Sequence, residues 1–224
     1  MKPLLEIRSL EKSFRSPDGE IKRIVDVAEF SLEAGQQMAL RGESGSGKTT
    51  FLHLIAGILA ADRGTIRIGE QEMSALSEHE RDRVRGKKIG YIFQSFNLLQ
   101  GFSCLENVLL AMAFGPGVDT EQATAMLKRV GLGHRLDYFP RQLSSGQQQR
   151  VAVARALVNH PKLVLADEPT GNLDPTNSKE CLALIRETCE EQGASLLLVT
   201  HDEGVLAKFD DIKSFNDLHQ GKSS

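Results

Sequence analysis

The stretch Gly42-Glu43-Ser44-Gly45-Ser46-Gly47-Lys48-Thr49-Thr50 decides how this sequence folds. It matches the pattern GxxxxGK[ST] completely and follows a short apolar run at residues 38–40. Glycines let the backbone turn tightly so that N–H groups point at phosphate oxygens, and a helix N-terminus behind the loop favours anions. The stretch therefore predicts a phosphate-binding loop between a strand and a helix. Lys48 would supply positive charge to the phosphates, and the Thr49 hydroxyl would bind Mg²⁺.

Three short apolar runs, at residues 38–40, 163–166 and 195–199, are unbroken rather than alternating. Such runs are typical of strands that are buried on both faces of a parallel sheet. Helical periodicity lies at residues 48–59, 120–130, 147–158 and 178–191. Because strands alternate with helices, the sequence predicts an α/β fold.

The N-terminal part of the chain alternates with period two. Leu5, Ile7 and Ser9 share one phase, and a second alternating run at residues 25–32 follows a turn at residues 16–19. This pattern predicts a pair of antiparallel strands. Residues 97–159 show no convincing strand, so we interpret this part as a helical lobe inserted into the α/β core.

The composition is typical of a globular domain and argues against a nucleic-acid-binding or membrane-spanning protein. A chain of 224 residues with 40% hydrophobic and 25% charged residues is ordinary for one globular domain. The net charge of −3 argues against a basic footprint for nucleic acid or a membrane surface. The sequence has no apolar run of about 18 residues, the length that a membrane span needs. Its first residues lack the apolar core of a secretory signal. A membrane function would therefore need a partner that supplies the spans.

Three cysteines stand at positions 104, 181 and 189, without CxxC spacing. Cys181 and Cys189 would be about 12 Å apart along a helix, too far for a disulfide. We expect free, buried thiols in a reducing cytosol.

The apolar run at residues 163–166 ends in two acids, Asp167 and Glu168. Strands of a parallel sheet deliver their C-terminal residues to the ligand crevice. Asp167 would hold Mg²⁺ directly or through water, and Glu168 would act on the attacking water as general base or as its orienter. The alternative, an exposed turn of two acids, is disfavoured by the phosphate loop upstream.

The segment Leu143-Ser144-Ser145-Gly146-Gln147 resembles the LSGGQ signature of the ATP-binding-cassette (ABC) ATPases. The order of phosphate loop, Gln94, signature, Asp167-Glu168, Asp174 and His201 is similar to the complete ABC series and covers nearly the whole chain. The resemblance implies a P-loop NTPase (RecA-like) core with an antiparallel β subdomain, formed by residues 1–95 and 160–224. Residues 96–159 would form an inserted α-helical subdomain that carries the signature.

The resemblance also implies that ATP is bound between two copies of the chain. Four residues would contact the ATP held by the opposite subunit: Ser144, Ser145, Gly146 and Gln147. Asp174 would lie at the dimer interface. Gln94 would touch Mg²⁺ and the attacking water, and His201 would contact the γ-phosphate. Phe14 is our candidate for stacking on adenine, and a core aromatic of the β subdomain is the alternative.

Two departures from the family pattern stand out. Ser145 replaces the first glycine of LSGGQ, which we expect to alter rate or affinity rather than abolish function. At residues 211–218, where the family usually has an apolar strand and an Asp-Gly turn, Lys213 and Leu218 break the pattern and weaken the expectation of a strand.

The stretch at residues 90–99, Gly-Tyr-Ile-Phe-Gln-Ser-Phe-Asn-Leu-Leu, is similar to one branch of the family, that of MacB-, LolD- and FtsE-like ATPases. The branch implies an ATPase at the cytoplasmic face of the inner or plasma membrane, driving a separate permease with a large extracytoplasmic domain. A helix of the permease would dock at four apolar residues: Phe96, Leu98, Leu99 and Phe102. For each of these, a place in the core of the helical lobe is the alternative.

Two other functions compete with this interpretation. A soluble ABC-type switch that acts on nucleic acid or ribosomes would carry a coiled-coil insertion or a second cassette, and neither is seen in this sequence. A nucleotide-binding regulator without turnover would need a damaged site, whereas Glu168 and His201 are intact.

Overall fold

A computed structural model describes residues 3–219 of the chain. The strands are β1 (Leu5–Arg15), β2 (Ile21–Leu32), β3 (Gln37–Arg41), β4 (Arg63–Ile68), β5 (Gln71–Glu72), β6 (Ile89–Ile92), β7 (Leu163–Asp167), β8 (Ser195–Thr200) and β9 (Asp211–Ser214). The helices are α1 (Lys48–Ile55), α2 (Glu78–Lys88), α3 (Cys104–Ala113), α4 (Thr120–Arg129), α5 (Ser145–Leu157), α6 (Pro175–Gln192), α7 (Glu203–Leu206) and α8 (Phe215–Leu218). Of the predicted domain ranges, residues 1–2 and 220–224 lie outside this description.

A five-stranded sheet in the order β6-β7-β8-β3-β9 forms the centre, and its neighbouring strands are parallel. The three unbroken apolar runs form β3, β7 and β8, so this prediction is confirmed. Along β7, Leu163 and Leu165 face one hydrophobic core while Val164 and Ala166 face the other. Successive side chains of a strand point to opposite faces, so a sheet that is covered on both sides requires an unbroken apolar run.

A second, antiparallel sheet has the order β2-β1-β4-β5 and contains the predicted hairpin. The expectation that Ser9 continues the phase of Leu5 and Ile7 is wrong. Ser9 is exposed with φ 49°, and Leu10 takes the buried position instead. The pairing of β1 with β4 shifts register here, since the backbone of β1 bulges where Gly64 approaches it closely. The alternation therefore changes phase in the middle of β1.

The helix boundaries follow local capping rather than hydrophobic periodicity alone. Helix α1 ends at Ile55, before the predicted residue 59, because Gly57 has a left-handed φ of 68°. Helix α6 begins at Pro175, before the predicted residue 178, because the Asp174 carboxylate accepts the Thr176 and Asn177 N–H groups at 3.1 and 3.0 Å.

Residues 96–159 contain α3, α4 and α5 and, within this part of the described chain, no strand. The periodicity missed α2 and α3, although each begins with a capping box. The Ser77 and Ser103 hydroxyls accept hydrogen bonds from the backbone N–H groups of Glu80 and Glu106. The carboxylates of these glutamates in turn accept hydrogen bonds from the backbone N–H groups of the two serines. The Ser-x-x-Glu spacing was the signal that would have predicted both helices.

The C-terminal segment does form a strand, contrary to the weakened expectation. Strand β9 pairs in parallel with β3 at the edge of the central sheet, where a charged side chain is tolerated. The Lys213 ammonium lies 5.5 Å from the Phe30 ring. Phe215 follows, fully buried, with its ring 5.4 Å from that of Phe51. The tail thereby packs beneath the phosphate loop.

All three cysteines are buried and free, as predicted. Burial raises the pKa of the Cys181 and Cys189 thiols to about 12. Over residues 3–219, no helix has the length and apolarity needed to cross a membrane.

Candidate active site

The phosphate loop joins β3 to α1 and is shaped by its glycines. Gly45 and Gly47 have φ values of 77° and 100°, which side chains disfavour. A Cβ atom at Gly47 would lie 2.6 Å from the Ile24 carbonyl oxygen of β2, so any larger residue would push the strand and the loop apart. Gly47 also occupies the N-cap position of α1 without a capping side chain. The first N–H groups of α1 therefore face the loop and are suited to an anion.

Lys48 is the first residue of α1, and its side chain folds back into the centre of the phosphate loop. Only 5% of the residue is exposed. Its Nζ donates to the carbonyl oxygens of Gly42 and Glu43, both at 2.6 Å, and is 4.0 Å from Glu168 Oε1. Burial lowers the pKa of the Lys48 ammonium, and the neighbouring carboxylates oppose that shift. A buried cation that is only partly neutralised attracts phosphate.

Ser46 provides an independent test of the fit between the loop and an anion. Its hydroxyl is buried and finds no hydrogen-bond partner within residues 3–219. Buried polar atoms are almost always paired, so an orphaned hydroxyl in this loop fits a phosphate oxygen.

Asp167 ends β7 next to the start of α1, buried, and the Thr49 hydroxyl hydrogen-bonds to it. Burial raises the pKa of the Asp167 carboxyl, and the bond from Thr49 opposes this rise. No group of three or more His, Cys, Asp and Glu residues in the described chain could hold a metal ion. A magnesium ion at Thr49 and Asp167 would therefore need further oxygen ligands, such as those of nucleotide phosphates.

His53 and Tyr91 lie near the Asp167 carboxylate, and no sequence pattern predicts a role for either residue. The His53 ring lies 5.6 Å from that of Tyr91. Burial lowers the pKa of His53, while the charge of Asp167 opposes the shift. Their approach follows from the packing of α1 on β6 and β7, which no local sequence signal shows.

Glu168 and His201 come together where β7 and β8 end. The strands pair Asp167 with Val199, and the Glu168 N–H donates to the Val199 carbonyl at 3.0 Å. His201 Nδ1 is 2.9 Å from Glu168 Oε1. Glu168 has a left-handed φ of 42°, an unusual conformation for a residue with a side chain. The structure thus places a carboxylate, an imidazole and the Lys48 ammonium in one group.

Gln94 lies beside Glu168, after β6. A Cβ atom at Gly171 would be 3.7 Å from both Gln94 Nε2 and Glu168 Oε2, so the two side chains flank this glycine. Asn172 Nδ2 donates to the Gln94 carbonyl at 2.7 Å. No sequence pattern predicts this contact of Asn172. Gln94 therefore belongs to the same group as the acid and the histidine.

The signature residues form the start of α5. Ser144 is its N-cap, and its hydroxyl accepts the Gln147 N–H at 3.3 Å while Gln147 Oε1 accepts the Ser144 N–H at 3.1 Å. A Cβ atom at Gly146 would lie 2.7 Å from Asn177 Oδ1, so the starts of α5 and α6 touch. Hydrogen bonds from Asn177 hold the pKa of Asp174 below its ordinary value.

The signature and Asp174 are not joined to the phosphate loop. Within residues 3–219, no hydrogen bond or ion pair connects the loop to Ser144, Ser145, Gly146, Gln147 or Asp174. These residues are mostly at the surface, where a second molecule can reach them.

A cleft of about 500 Å³ lies beside the phosphate loop, a volume suited to a small-molecule ligand. Its lining combines residues of β2, the loop and the C-terminal segment: Lys22, Arg23, Ile24, Asp26, Glu43, Ser44, Gly45, Ser46, Asn216 and His219. Asn216 and His219 were missed by sequence reasoning because only the fold of the tail brings them here. Phe14, on the adjoining hairpin, is 42% exposed, so the alternative of a core aromatic is wrong. Its stacking on adenine stays a prediction.

Comparison with known proteins identifies the family. Residues 25–171, more than half of the chain, match the model of the ABC transporter family. The chain is 47% identical over 211 residues to the lipoprotein-releasing system ATP-binding protein LolD 2 of Rhodospirillum rubrum, covering 92% of this chain and 90% of that protein. It is 42% identical over 207 residues to the macrolide export ATP-binding/permease protein MacB of Syntrophobacter fumaroxidans, covering 90% of this chain and 29% of MacB.

A solved structure agrees in fold. The dimeric post-hydrolysis state of the ATP-binding cassette MJ0796, bound to ADP and Pi, superposes with a TM-score of 0.86 at 33% identity and covers 94% of this chain and 93% of that one. The α/β fold is thus that of ABC cassettes, and the predicted resemblance to MacB and LolD is confirmed. The chain belongs to the ABC transporter family and is an ATP-hydrolysing ATP-binding cassette.

Proposed function

We propose that this chain is the energising subunit of an export, lipoprotein-extraction or mechanotransmission complex, which dimerises on ATP and drives a separate membrane permease. The observation that carries the proposal is the grouping of Lys48, Glu168 and His201 at the ends of neighbouring parallel strands. The match along 90% of LolD 2 supports the branch. The complex would place the chain at the cytoplasmic face of the inner membrane.

Each group in the site has a proposed chemical task. Lys48 and the N–H groups of the loop would bind the β- and γ-phosphates, and Thr49, Gln94 and Asp167 would hold Mg²⁺. Bound magnesium neutralises charge on the phosphate oxygens. Glu168 accepts a proton from the attacking water, and His201, hydrogen-bonded to Glu168, orients that carboxylate and contacts the γ-phosphate.

The second half of each site would come from another copy of the chain. Ser144 to Gln147 would present the N-terminus of α5 to the γ-phosphate of ATP held by the partner, and Asp174 would lie at the interface beside it. Helices α5 and α6 both begin at the surface, and within residues 3–219 no hydrogen bond or ion pair joins their first residues to the phosphate loop of the same chain. Both observations support this arrangement. We also propose that residues 96–159 form a helical subdomain and that residues 1–95 and 160–224 form the β subdomain and the RecA-like core.

Ser145→Gly tests whether the departure in the signature restrains the enzyme. Ser145 is the first residue of α5, it is exposed, and its side chain makes no hydrogen bond within residues 3–219. Glycine there removes bulk that would face the nucleotide and costs less than about 1 kcal/mol of helix stability. We expect turnover of ATP to rise about 2- to 5-fold, less than the tenfold that 1.4 kcal/mol represents. Initial rates across ATP concentrations check this. Slower turnover with an unchanged melting temperature would contradict it.

We propose that the permease docks next to Gln94. The four predicted contact residues differ in how far they are exposed to solvent. Leu98 is only 7% exposed and the partly buried Phe96 packs against the helical core, which favours the core alternative for these two. Leu99 and Phe102 remain 42% and 41% exposed. We therefore propose these two as the docking residues of the permease, whose large extracytoplasmic domain would then respond to ATP.

Recovery of the chain from native membranes, followed by mass spectrometry, tests this proposal. We expect a four-span permease with a large external domain to co-purify, and Leu99→Asp with Phe102→Asp to reduce its yield at least about tenfold. Ile212→Asp is the matched control, because Ile212 is 41% exposed on β9, at the opposite edge of the central sheet from β6. Recovery of a many-span importer-like permease, or of no membrane protein, would reject the assignment to the MacB-, LolD- and FtsE-like branch. The assignment as an ATPase would not be affected.

A further inference from the structure

The loop that carries Gln94 has an unusual backbone. Phe96 and Asn97 are consecutive residues with left-handed φ values of 55° and 50°. Neither is glycine, and a pair of such residues persists only where the surroundings fix it. The loop therefore needs an external support.

Arg155, on the last turn of α5, provides that support. Its Nη1 donates to the Asn97 carbonyl at 2.5 Å and its Nη2 to the Phe96 carbonyl at 2.8 Å. Two donors of one rigid guanidinium thus hold the carbonyl groups of both strained residues, a geometry that lysine cannot reproduce. Each carbonyl direction is set by the local φ and ψ, so these bonds select the left-handed conformation.

Arg155 differs from the neighbouring arginine of α5 because, within residues 3–219, its charge has no acidic partner. No carboxylate within residues 3–219 forms an ion pair with it, although burial lowers the pKa of its guanidinium. Arg150, on the same helix, differs in this respect: its Nη2 binds Glu180 Oε2 at 2.6 Å and its Nη1 the Val130 carbonyl at 3.3 Å. Burying a charged group without an ion pair costs free energy. This cost suggests a function for the bonds from Arg155 to the carbonyl groups of the loop.

The loop is also held on its other side. Asn172 binds the Gln94 carbonyl, and the adjacent Gly171 separates Gln94 from Glu168. Gln94 is therefore fixed between a contact from α5 and a contact from the segment that leads to Asp174. Displacing Phe96 and Asn97 would move the Gln94 side chain relative to Glu168.

We propose that Arg155 is a positioning residue for hydrolysis: it sets the backbone of the Gln94 loop and so makes the placement of Gln94 depend on the position of helix α5. This inference rests on the proposed role of Gln94 in the reaction. Since α5 begins with the signature, the helix joins two parts of the site that no direct hydrogen bond connects within the described chain.

Steady-state ATPase kinetics of the full chain test the inference. We expect Arg155→Gln to lower kcat about 10- to 100-fold, as misplacement of a catalytic group does. The KM for ATP should stay within about twofold, because the phosphate loop is untouched. Arg155→Lys should recover part of the loss, since a single ammonium nitrogen can still bind one of the two carbonyl groups. Arg150→Gln is the matched control and should keep kcat.

Two further readouts separate positioning from folding. In Arg155→Gln, hydrogen exchange should rise at the Asn97 and Leu99 amides, which bind the Ser95 carbonyl and Asn107 Oδ1, but not along α5. Gln94→Ala combined with Arg155→Gln should be no slower than Gln94→Ala alone, because both changes remove one function.

The possible outcomes are distinguishable. Normal kcat in Arg155→Gln beside an impaired Gln94→Ala would overturn the inference alone. An equal loss in Arg155→Gln and Arg150→Gln, with raised exchange along all of α5, would also overturn it by showing a structural role. Normal turnover in Gln94→Ala would reject the proposed role of Gln94 and, with it, the catalytic part of this inference.

Discussion

Lys48→Ala is expected to weaken ATP binding at least about 100-fold. The ammonium is buried at the centre of the phosphate loop, where solvent screening is small. Each hydrogen bond to a charged group contributes about 1.5–3 kcal/mol, and two phosphate contacts would be lost. A total of about 3 kcal/mol or more corresponds to this factor in Kd.

Titration calorimetry with ATP and Mg²⁺ measures the effect directly. Lys87→Ala, which removes an exposed positive charge from α2, controls for the change in net charge and should bind like the unmodified chain. A melting curve of Lys48→Ala is needed as well, because the Gly42 and Glu43 carbonyls lose their donor. Tight binding of ATP by a folded Lys48→Ala chain would disprove the phosphate-loop assignment.

Glu168→Gln is expected to retain ATP binding while hydrolysis falls about 100- to 10,000-fold, the range for loss of a general base. Glutamine has the same shape and keeps an oxygen near His201 Nδ1, but its amide accepts no proton from water. The backbone strain at φ 42° is similar for both side chains, so the fold should not change. ATP that is bound but not cleaved should hold two chains together.

Phosphate release and light scattering after size exclusion check both halves of this expectation. The variant should elute as a dimer with ATP and as a monomer without it. Glu190→Gln, at an exposed position of α6, is the control and should hydrolyse ATP normally. Unchanged turnover in Glu168→Gln would remove this residue from its role, and a monomer in the presence of ATP would reject the shared site.

The sequence could predict those parts of the fold and candidate site that depend on local chemistry. The phosphate loop, the acids after β7 and His201 after β8 each follow an apolar run, and parallel strands bring such ends to one edge. The capping boxes at Ser77 and Ser103 are equally local signals, and they mark two helices that hydrophobic periodicity alone does not predict. The phase change at Ser9 could not be predicted, because the close approach of β4 causes it.

Contacts between distant segments were beyond the sequence for a physical reason. Arg155 and Asn172 hold the Gln94 loop through carbonyl groups, which every residue possesses, so no side-chain pattern marks the acceptor. The same holds for Asn216 and His219, which reach the cleft beside the phosphate loop only because β9 forms despite Lys213. An edge strand tolerates lysine, whereas hydrophobic patterning treats lysine as a break.

The left-handed backbone of Glu168 has a consequence for how this chain can evolve. Strain of this kind costs about 1–3 kcal/mol, and glycine or asparagine at position 168 would relieve part of it. Selection for thermal stability alone would therefore favour replacing the residue on which hydrolysis depends. A library screened only for heat resistance should become enriched in inactive proteins altered at this position, while selection for activity keeps the less stable glutamate.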